Sequence, residues 1–309
     1  MKKPMVSVLL AAYNGDKFIS EQLDTILNQE GVDVRIFVSI DESTDRTEAV
    51  VKKYCKLDSR VILLDSRGRI GSAGLNFFRL ICDVNAFDDS FFALADQDDI
   101  WFPDKLIKAV NILSNNAYDC YSSNVIAFWE DGRKKIINKA QPQRKFDFLF
   151  EAAGPGCTYV FTNCFFESLK IFMFSNIRFM SNISLHDWFI YAFARSNGFK
   201  WFIDKNPGLM YRQHALNVMG ANSGLFQLFS RLNKMFNGWW FCQIHLIIFL
   251  LYRHDESTYQ FFYKNDKLNL YNMCRNVFQI RRKVSESVFT FAILCLFRLI
   301  KPKHLIKFN

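Results

Sequence analysis

The sequence predicts an α/β protein built on a mostly parallel sheet, with a helical appendage at its C-terminal end. Three observations lead there. Apolar strand-like runs alternate with helix-period segments over the first hundred residues. Half of the 309 residues are apolar and 22% are charged, which supplies a core and excludes wholesale disorder. After Gly224 the strand signals stop and the spacing turns helical.

Val6–Ala12 is an apolar strand, read in preference to a signal peptide because it runs into Tyr13-Asn14-Gly15-Asp16 with no small-residue cleavage site. Residues 16–30 carry Phe18, Ile19, Leu23, Ile26 and Leu27 at helical spacing and stop before Gly31. Val34–Ile40 is the second strand, and Asp45-Arg-Thr-Glu48 opens a helix as a capping box. A short strand over 61–65, a helix over 72–84 and a strand over 91–95 follow, and Pro103 suits the first turn of a helix through Leu113. The β-α-β-α-β-α-β order places ligands at the carboxyl ends of the strands.

Further on, residues 119–129 and 133–137 flank Asp131-Gly132 as a hairpin. A strand over 157–162 leads into a helix ending near Phe174, and residues 185–197 form a helix closed by Gly198, with Ser184 available as its cap. Two apolar helical runs, 239–252 and 288–300, span about 20 Å each, short of the ~30 Å hydrocarbon thickness of a bilayer. The division predicted is a catalytic body over 1–224 and a tail over 225–309.

Charge follows the same division. The formal net charge of +9 lies entirely in the tail, which holds 13 basic and 4 acidic side chains, while the body is neutral. The tail is also rich in aromatic residues, a composition that suits an anionic membrane surface; no zinc-ligand pair or Gly/Arg tract supports nucleic acid. The expected contacts are short helices with Arg281-Arg282-Lys283 and Lys301, Lys303 and Lys307 on the inner leaflet, the alternative being a basic cap packed on the catalytic body. Eight scattered cysteines without a CxxC pair predict free thiols in a reducing compartment, the cytoplasm.

The sharpest chemical feature is Asp96-Gln97-Asp98-Asp99 at the end of the fourth strand. Three carboxylates within four residues repel one another unless a cation neutralises them, and hard oxygen donors suit Mg²⁺ or Mn²⁺. The alternative is a solvated acidic turn capping the next helix. Asp41 and Tyr13-Asn14 end neighbouring strands, so all three segments share one rim in a parallel sheet. A carboxylate at Asp41 suits the imide N–H of uracil or thymine, unless it only shapes its turn.

Three ordered segments carry a family resemblance: V-S-V-L-L-A-A-Y-N-G from Val6, I-D-E-S-T-D-R-T from Ile40, and A-D-Q-D-D-I-W-F-P-D-K from Ala95. They resemble the family 2 glycosyltransferases of GT-A fold. The D-Q-D-D-I-W form, with the later His186-Asp187-Trp188 and Tyr211-Arg212-Gln213-His214, is similar to the bacterial rhamnosyltransferase-like subset. The resemblance spans residues 4–220.

It implies roles residue by residue. Asp41 would recognise the base, with Ala11, Tyr13 and Asn14 framing the nucleoside and Gly71 and Asn76 lining the pocket. Asp96 and Asp98 would hold the metal with His214, while Gln97 and Arg212 would face the nucleotide-sugar. Gly156, Cys157 and Thr158, with His186 and Trp188, would border the acceptor, and Asp187 would be the base that deprotonates its hydroxyl. One departure is local: Ile40 and Glu42 flank Asp41 where the family often has Asp and Gly. Met219–Gly224 has the composition of a mobile lid.

The function implied is inverting, metal-dependent transfer of rhamnose or a hexose from a dTDP- or UDP-sugar to a lipid-diphosphate-linked saccharide, in O-antigen or capsule assembly. The place implied is the cytoplasmic face of the bacterial inner membrane. Two rivals remain: a nucleotidyltransferase, which lacks its basic glycine-rich loop here, and a membrane-docked scaffold without activity. A dehydrogenase is disfavoured, since no G-x-G-x-x-G follows a strand.

Overall fold

The computed structural model describes residues 2–85, 91–115, 118–214, 237–264 and 267–300. The expected lid at Met219–Gly224, the boundary at 224 and the lysines 301, 303 and 307 lie outside these residues.

The strands of the main sheet are β1 (Met5–Ala12), β2 (Asp33–Ile40), β3 (Val61–Leu63), β4 (Phe91–Ala95), β6 (Cys120–Ser123), β9 (Val160–Thr162) and β10 (Trp201–Asp204). Their spatial order is β10-β6-β9-β4-β1-β2-β3. All neighbours pair parallel except β9, which runs antiparallel between β4 and β6. The mostly parallel sheet is therefore as the sequence predicts.

Period-two alternation along β1 distributes its side chains between two cores. Leu9 and Ala11 face one, together with α3 (Ala73–Asp83), α5 (Asn163–Ser175) and α7 (His186–Ser196). Val6, Val8 and Leu10 face the other, with α1 (Ile19–Leu27), α2 (Thr47–Leu57) and α4 (Lys105–Asn115). Helix α1 is shorter than the sequence spacing suggests, because residues 15–18 form a turn in which Phe18 and Ile19 both donate to the Gly15 carbonyl. Asp45 does not close a capping box. It accepts from the Thr47 amide and hydroxyl, and its other oxygen takes the Asp16 amide.

The expected strand over 119–129 divides at Asn124. The Asn124 backbone N–H donates to Asp204, its side-chain amide donates to Lys205, and its Oδ1 accepts from the Lys139 and Ala140 amides. These bonds turn the chain out of the main sheet into β7 (Val125–Trp129), which forms the expected hairpin with β8 (Lys134–Ile137). A second, four-stranded sheet results, ordered β5-β11-β7-β8, with β5 at Ile100–Trp101 and β11 at Leu209–Gln213. Pairing of Leu209 with Trp101 and Met210 with Ile100 brings β11 back beside the acidic loop.

After residue 237 the chain forms α8 (Trp239–Tyr252), α9 (Glu256–Phe262), the strand pair β12 (Tyr263–Lys264) and β13 (Lys267–Leu268), then α10 (Leu270–Arg275), α11 (Val277–Ile280) and α12 (Val284–Ile300). Phe241, Ile244, Ile248, Met273, Ile280 and Leu294 join the same apolar core as α3, α5 and α7. Ser184 does not cap α7; its hydroxyl accepts the Trp239 indole N–H, and its amide donates to Gln243.

Of the basic residues expected at a lipid surface, Arg282 is buried instead and Arg281 is drawn partly into the protein. The Arg282 side chain is 0% exposed and lies 3.1 Å from Asp147 and 3.3 Å from Glu151. Arg281 donates to the Phe150 carbonyl. Burial of a guanidinium requires paired carboxylates, and the 3₁₀ turn at Asp147–Leu149 supplies one of them. Asp147 also accepts from Tyr191 and Arg195 on α7, so the tail grips the helix that begins with His186-Asp187.

Candidate active site

The site forms along the carboxyl ends of β1, β2 and β4. Asp41 follows β2 and is 6% exposed. Its Oδ1 accepts from the Ile70 amide at 2.6 Å and the Glu42 amide at 2.8 Å, and its Oδ2 from the Gly71 amide at 2.8 Å. Gly71 holds φ of +94°, a conformation that side chains strain to adopt. Asp41 thus shapes a backbone wall out of residues 70–71, a contact that Ile70 gave no sign of in the sequence. Glu42 in place of glycine leaves this geometry intact.

Asn76 is buried. Its side-chain amide donates to the Ser39 carbonyl, and its Oδ1 accepts the Ser39 hydroxyl. It braces the end of β2 from beneath. Ala11 is buried in β1, while Tyr13 is 55% exposed on the rim. Gln97 and Tyr13 exchange two 2.8 Å bonds, the Tyr13 amide to Oε1 and Nε2 to the Tyr13 carbonyl. Asn14 holds φ of 45° and accepts from the Thr44 amide, tying the loops after β1 and β2 together. A Cβ on Gly15 would come within 2.2 Å of the Gln97 side-chain amide, so a side chain there would displace that amide from Tyr13.

The acidic loop follows β4. His214 Nε2 lies 2.6 Å from Asp98 Oδ2. Asp96 has its carboxyl pushed well above the usual range, first by burial and then by the charges of Asp98 and Asp187. Asp99 is 1% exposed, and neither of its oxygens has a hydrogen-bond partner. Burial drives its carboxyl upward too, reinforced by Asp98 and Asp96.

This donor set fits a hard divalent cation. Three carboxylates crowd one short loop with an imidazole against Asp98, and the buried Asp99 oxygens show how incompletely their charge is compensated. Asp96, Asp99 and the Cys157 thiol also lie within 4.8 Å of one another. Asp99 and Cys157 are buried at 1% and 0% exposure, while Asp96 is partly exposed. Lys105, buried under the same loop, stands with its ammonium 3.4 Å from the Trp101 ring centroid. Its pKa falls to about 7 through burial.

Arg212 departs from the expected role. Its Nε donates to the Asp98 carbonyl, its terminal nitrogen pairs with Glu21, and the guanidinium lies over Phe18 at 4.5 Å and Phe128 at 4.7 Å. It braces the acidic loop instead of pointing freely toward a phosphate.

Asp187 opens α7, where a carboxylate is favoured by the helix dipole. Burial raises its pKa to about 6, opposed by the Trp188 amide and the charge of Lys139. Lys139 is a functional neighbour that sequence reasoning missed. It sits alone after a hairpin strand, with no motif around it. His186 stacks on Phe77 with ring centroids 4.1 Å apart, its Nε2 is buried without a partner, and burial lowers its pKa to about 3. The imidazole is therefore neutral at physiological pH. A Cβ on Gly156 would stand 2.4 Å from that Nε2.

The other acceptor expectations change. Trp188 is 4% exposed and gives its indole N–H to the Phe148 carbonyl. Cys157 and Thr158 are fully buried, the Thr158 hydroxyl bonding the Pro155 carbonyl. Their side chains pack the floor of the site, which leaves Gly156 and His186 at its edge.

A mostly parallel sheet with a buried carboxylate after β2 and an acidic loop after β4 is the fold of the GT-A glycosyltransferases, an enzyme class whose solved members share it. The mannosyltransferase PcManGT of Pyrobaculum calidifontis, solved with GDP-Man and Mn²⁺, superposes with a TM-score of 0.52 at 15% identity, over 98% of this chain and 82% of that one. TarS of S. aureus residues 1–349, solved with UDP-GlcNAc, gives 0.52 at 16%, over 91% and 82%.

The chain belongs to glycosyl transferase family 2, whose family model matches residues 7–172. It is 38% identical over 288 residues to the dTDP-rhamnosyl transferase RfbG of Shigella flexneri, covering 93% of this chain and 99% of that protein. It is 28% identical over 159 residues to the UDP-Glc:alpha-D-GlcNAc-diphosphoundecaprenol beta-1,3-glucosyltransferase WfgD of Escherichia coli, covering 50% and 59%.

Proposed function

We propose that this glycosyltransferase moves rhamnose from dTDP-rhamnose to a hydroxyl of a lipid-diphosphate-linked saccharide, with inversion, in surface-polysaccharide synthesis. Likeness to the rhamnosyl transferase over 93% of the chain favours that donor over a UDP-hexose. The glucosyltransferase relative, named for a diphosphoundecaprenol acceptor, supports the lipid carrier and hence work at the cytoplasmic face of the inner membrane.

The observation that carries the reaction is the placing of Asp187, a desolvated carboxylate, electrostatically close to Asp96 on the acidic loop. Asp187 takes the proton of the acceptor hydroxyl as that oxygen attacks the anomeric carbon. The bond from that carbon to the diphosphate oxygen breaks, and nucleoside diphosphate leaves. Asp96, Asp98 and His214 would hold Mg²⁺ or Mn²⁺, which would supply neutralisation of the diphosphate charge. Asp41 and the backbone of residues 70–71 bind the base, while Ala11, Tyr13 and Asn14 frame the nucleoside. Neutral His186, beside Gly156, orients the acceptor hydroxyl toward Asp187.

Incubation of purified enzyme with labelled dTDP-rhamnose, UDP-glucose or UDP-galactose, a lipid-diphosphate disaccharide and Mn²⁺ tests the reading. Transfer from dTDP-rhamnose with inverted anomeric configuration is expected. Transfer from UDP-sugars alone overturns the donor. Retained transfer in both Asp98→Ala and Asp187→Ala overturns the mechanism.

A further inference from the structure

Helix α12 is apolar on both of its faces. Ser287 and Thr290 point into the protein at 1% exposure, beside buried Ile293, Leu294 and Phe297. The opposite face exposes Val284, Val288, Phe291 and Leu296, at 59%, 57%, 45% and 36%. At 3.6 residues per turn these positions fall within about 140° of arc. Residues 287–297 contain no charged side chain at all. A helix facing water normally turns its polar residues outward; this one buries Ser287 and Thr290 and leaves four apolar side chains in water. Tyr271 and Phe278, on the short helices α10 and α11 that pack against α12, are more than half exposed as well.

Lys283 is exposed just before this face, and the sequence of the tail is basic, with Arg298, Lys301, Lys303 and Lys307 further on. The single acidic residue after Asp266 is Glu286, which faces Arg281 at 3.6 Å. An apolar stripe in a segment of basic sequence matches one environment, the interface of an anionic bilayer, where aliphatic groups enter the acyl boundary and ammonium groups meet phosphates. A second copy of the chain fits less well, because a self-complementary contact would bring the same cations together. The helix has 17 residues and its other side packs on the core, so it lies along the bilayer. Among the described residues no helix is long and apolar enough to cross a membrane.

We propose that the outward face of α12, centred on Val288, Phe291 and Leu296, is the surface by which the enzyme docks on anionic lipid. This deepens the membrane location proposed above, and it moves the contact away from Arg281 and Arg282, which are engaged with the catalytic body.

The test is flotation of the full chain with vesicles of phosphatidylglycerol and phosphatidylcholine, or of phosphatidylcholine alone. The wild type should float with the anionic vesicles and release as salt rises. The Phe291→Glu/Leu296→Glu variant should lose about tenfold or more in partitioning, with its thermal unfolding and its transfer to a detergent-soluble acceptor unchanged. A Phe291→Trp variant, which preserves packing, should shift its emission to the blue on anionic vesicles and be quenched by brominated lipid. Wild type that fails to float overturns the membrane location itself. Wild type and charge variant floating equally, with the Phe291→Trp emission left unquenched, overturns this face alone. A charge variant that changes from dimer to monomer by light scattering while floating normally assigns the face to a second copy instead.

Discussion

The rim of the main sheet and the helices after residue 237 treat charge in opposite ways. On the rim, Asp41, Asp96, Asp98, Asp99 and Asp187 gather with too few cations among them; Asp99 has no hydrogen-bond partner and Asp96 and Asp187 are driven toward neutrality. In the tail, Arg282 is buried against Asp147 and Glu151, with its terminal nitrogens bonded. Uncompensated charge is costly to a fold, and it persists where a ligand completes the set. Compensated charge holds one part of the chain to another. The rim is built to bind, the tail to clamp.

The contrast can be broken at both ends, beginning with the largest effect. Asp187→Asn should lower kcat by about 10²–10⁴-fold, the range for a lost general base, with the unfolding midpoint retained. A loss confined to KM would remove Asp187 from the chemistry. Arg282→Met should leave Asp147 and Glu151 buried beside an apolar group and cost about 3–5 kcal/mol, read from denaturant unfolding. A neutral result would show that the clamp adds nothing beyond packing.

Two milder tests sharpen the rim. A base with a pKa of about 6 must be ionised to act, so kcat/KM should fall tenfold per unit as pH drops below about 6. Lys139 favours the Asp187 carboxylate, so Lys139→Met should move that limb to higher pH; an unmoved limb would separate the two residues. Gly156→Ala pushes against His186, and acceptor KM should rise several-fold, up to about 10²-fold, with donor KM constant. The smallest effect belongs to an exposed pair far from either region. Lys52 and Glu48, 2.6 Å apart on α2, should yield only ~0.3–0.5 kcal/mol on Lys52→Ala.

What could be read beforehand follows interaction range. The strands at Val6–Ala12, Val34–Ile40 and Phe91–Ala95 were visible because their apolar runs and turn residues are local signals. So were Asp41, Asp96, Asp98 and Asp187, which occupy short ordered motifs at element ends. Arg212 and Trp188 stood in equally distinct motifs, yet their side chains brace and pack, because direction depends on neighbours from distant segments: Phe128 and Glu21 for one, Phe148 for the other. Lys139 and Ile70 carried no motif, and only folding brings them to the site.

By itself, then, the sequence determined the sheet, the order of its carboxylates and the separation of a neutral body from a basic tail, since periodicity and charge are properties of adjacent residues. Tertiary structure decided which of those charges are answered. It buried Arg282 and paired Arg281 against the body, stationed His214 beside Asp98 through the return of β11, and left one apolar face of α12 exposed. Burial and pairing are relations between distant segments, 135 positions apart for Asp147 and Arg282 and 191 for Glu21 and Arg212, and such relations exist only once the chain has closed on itself.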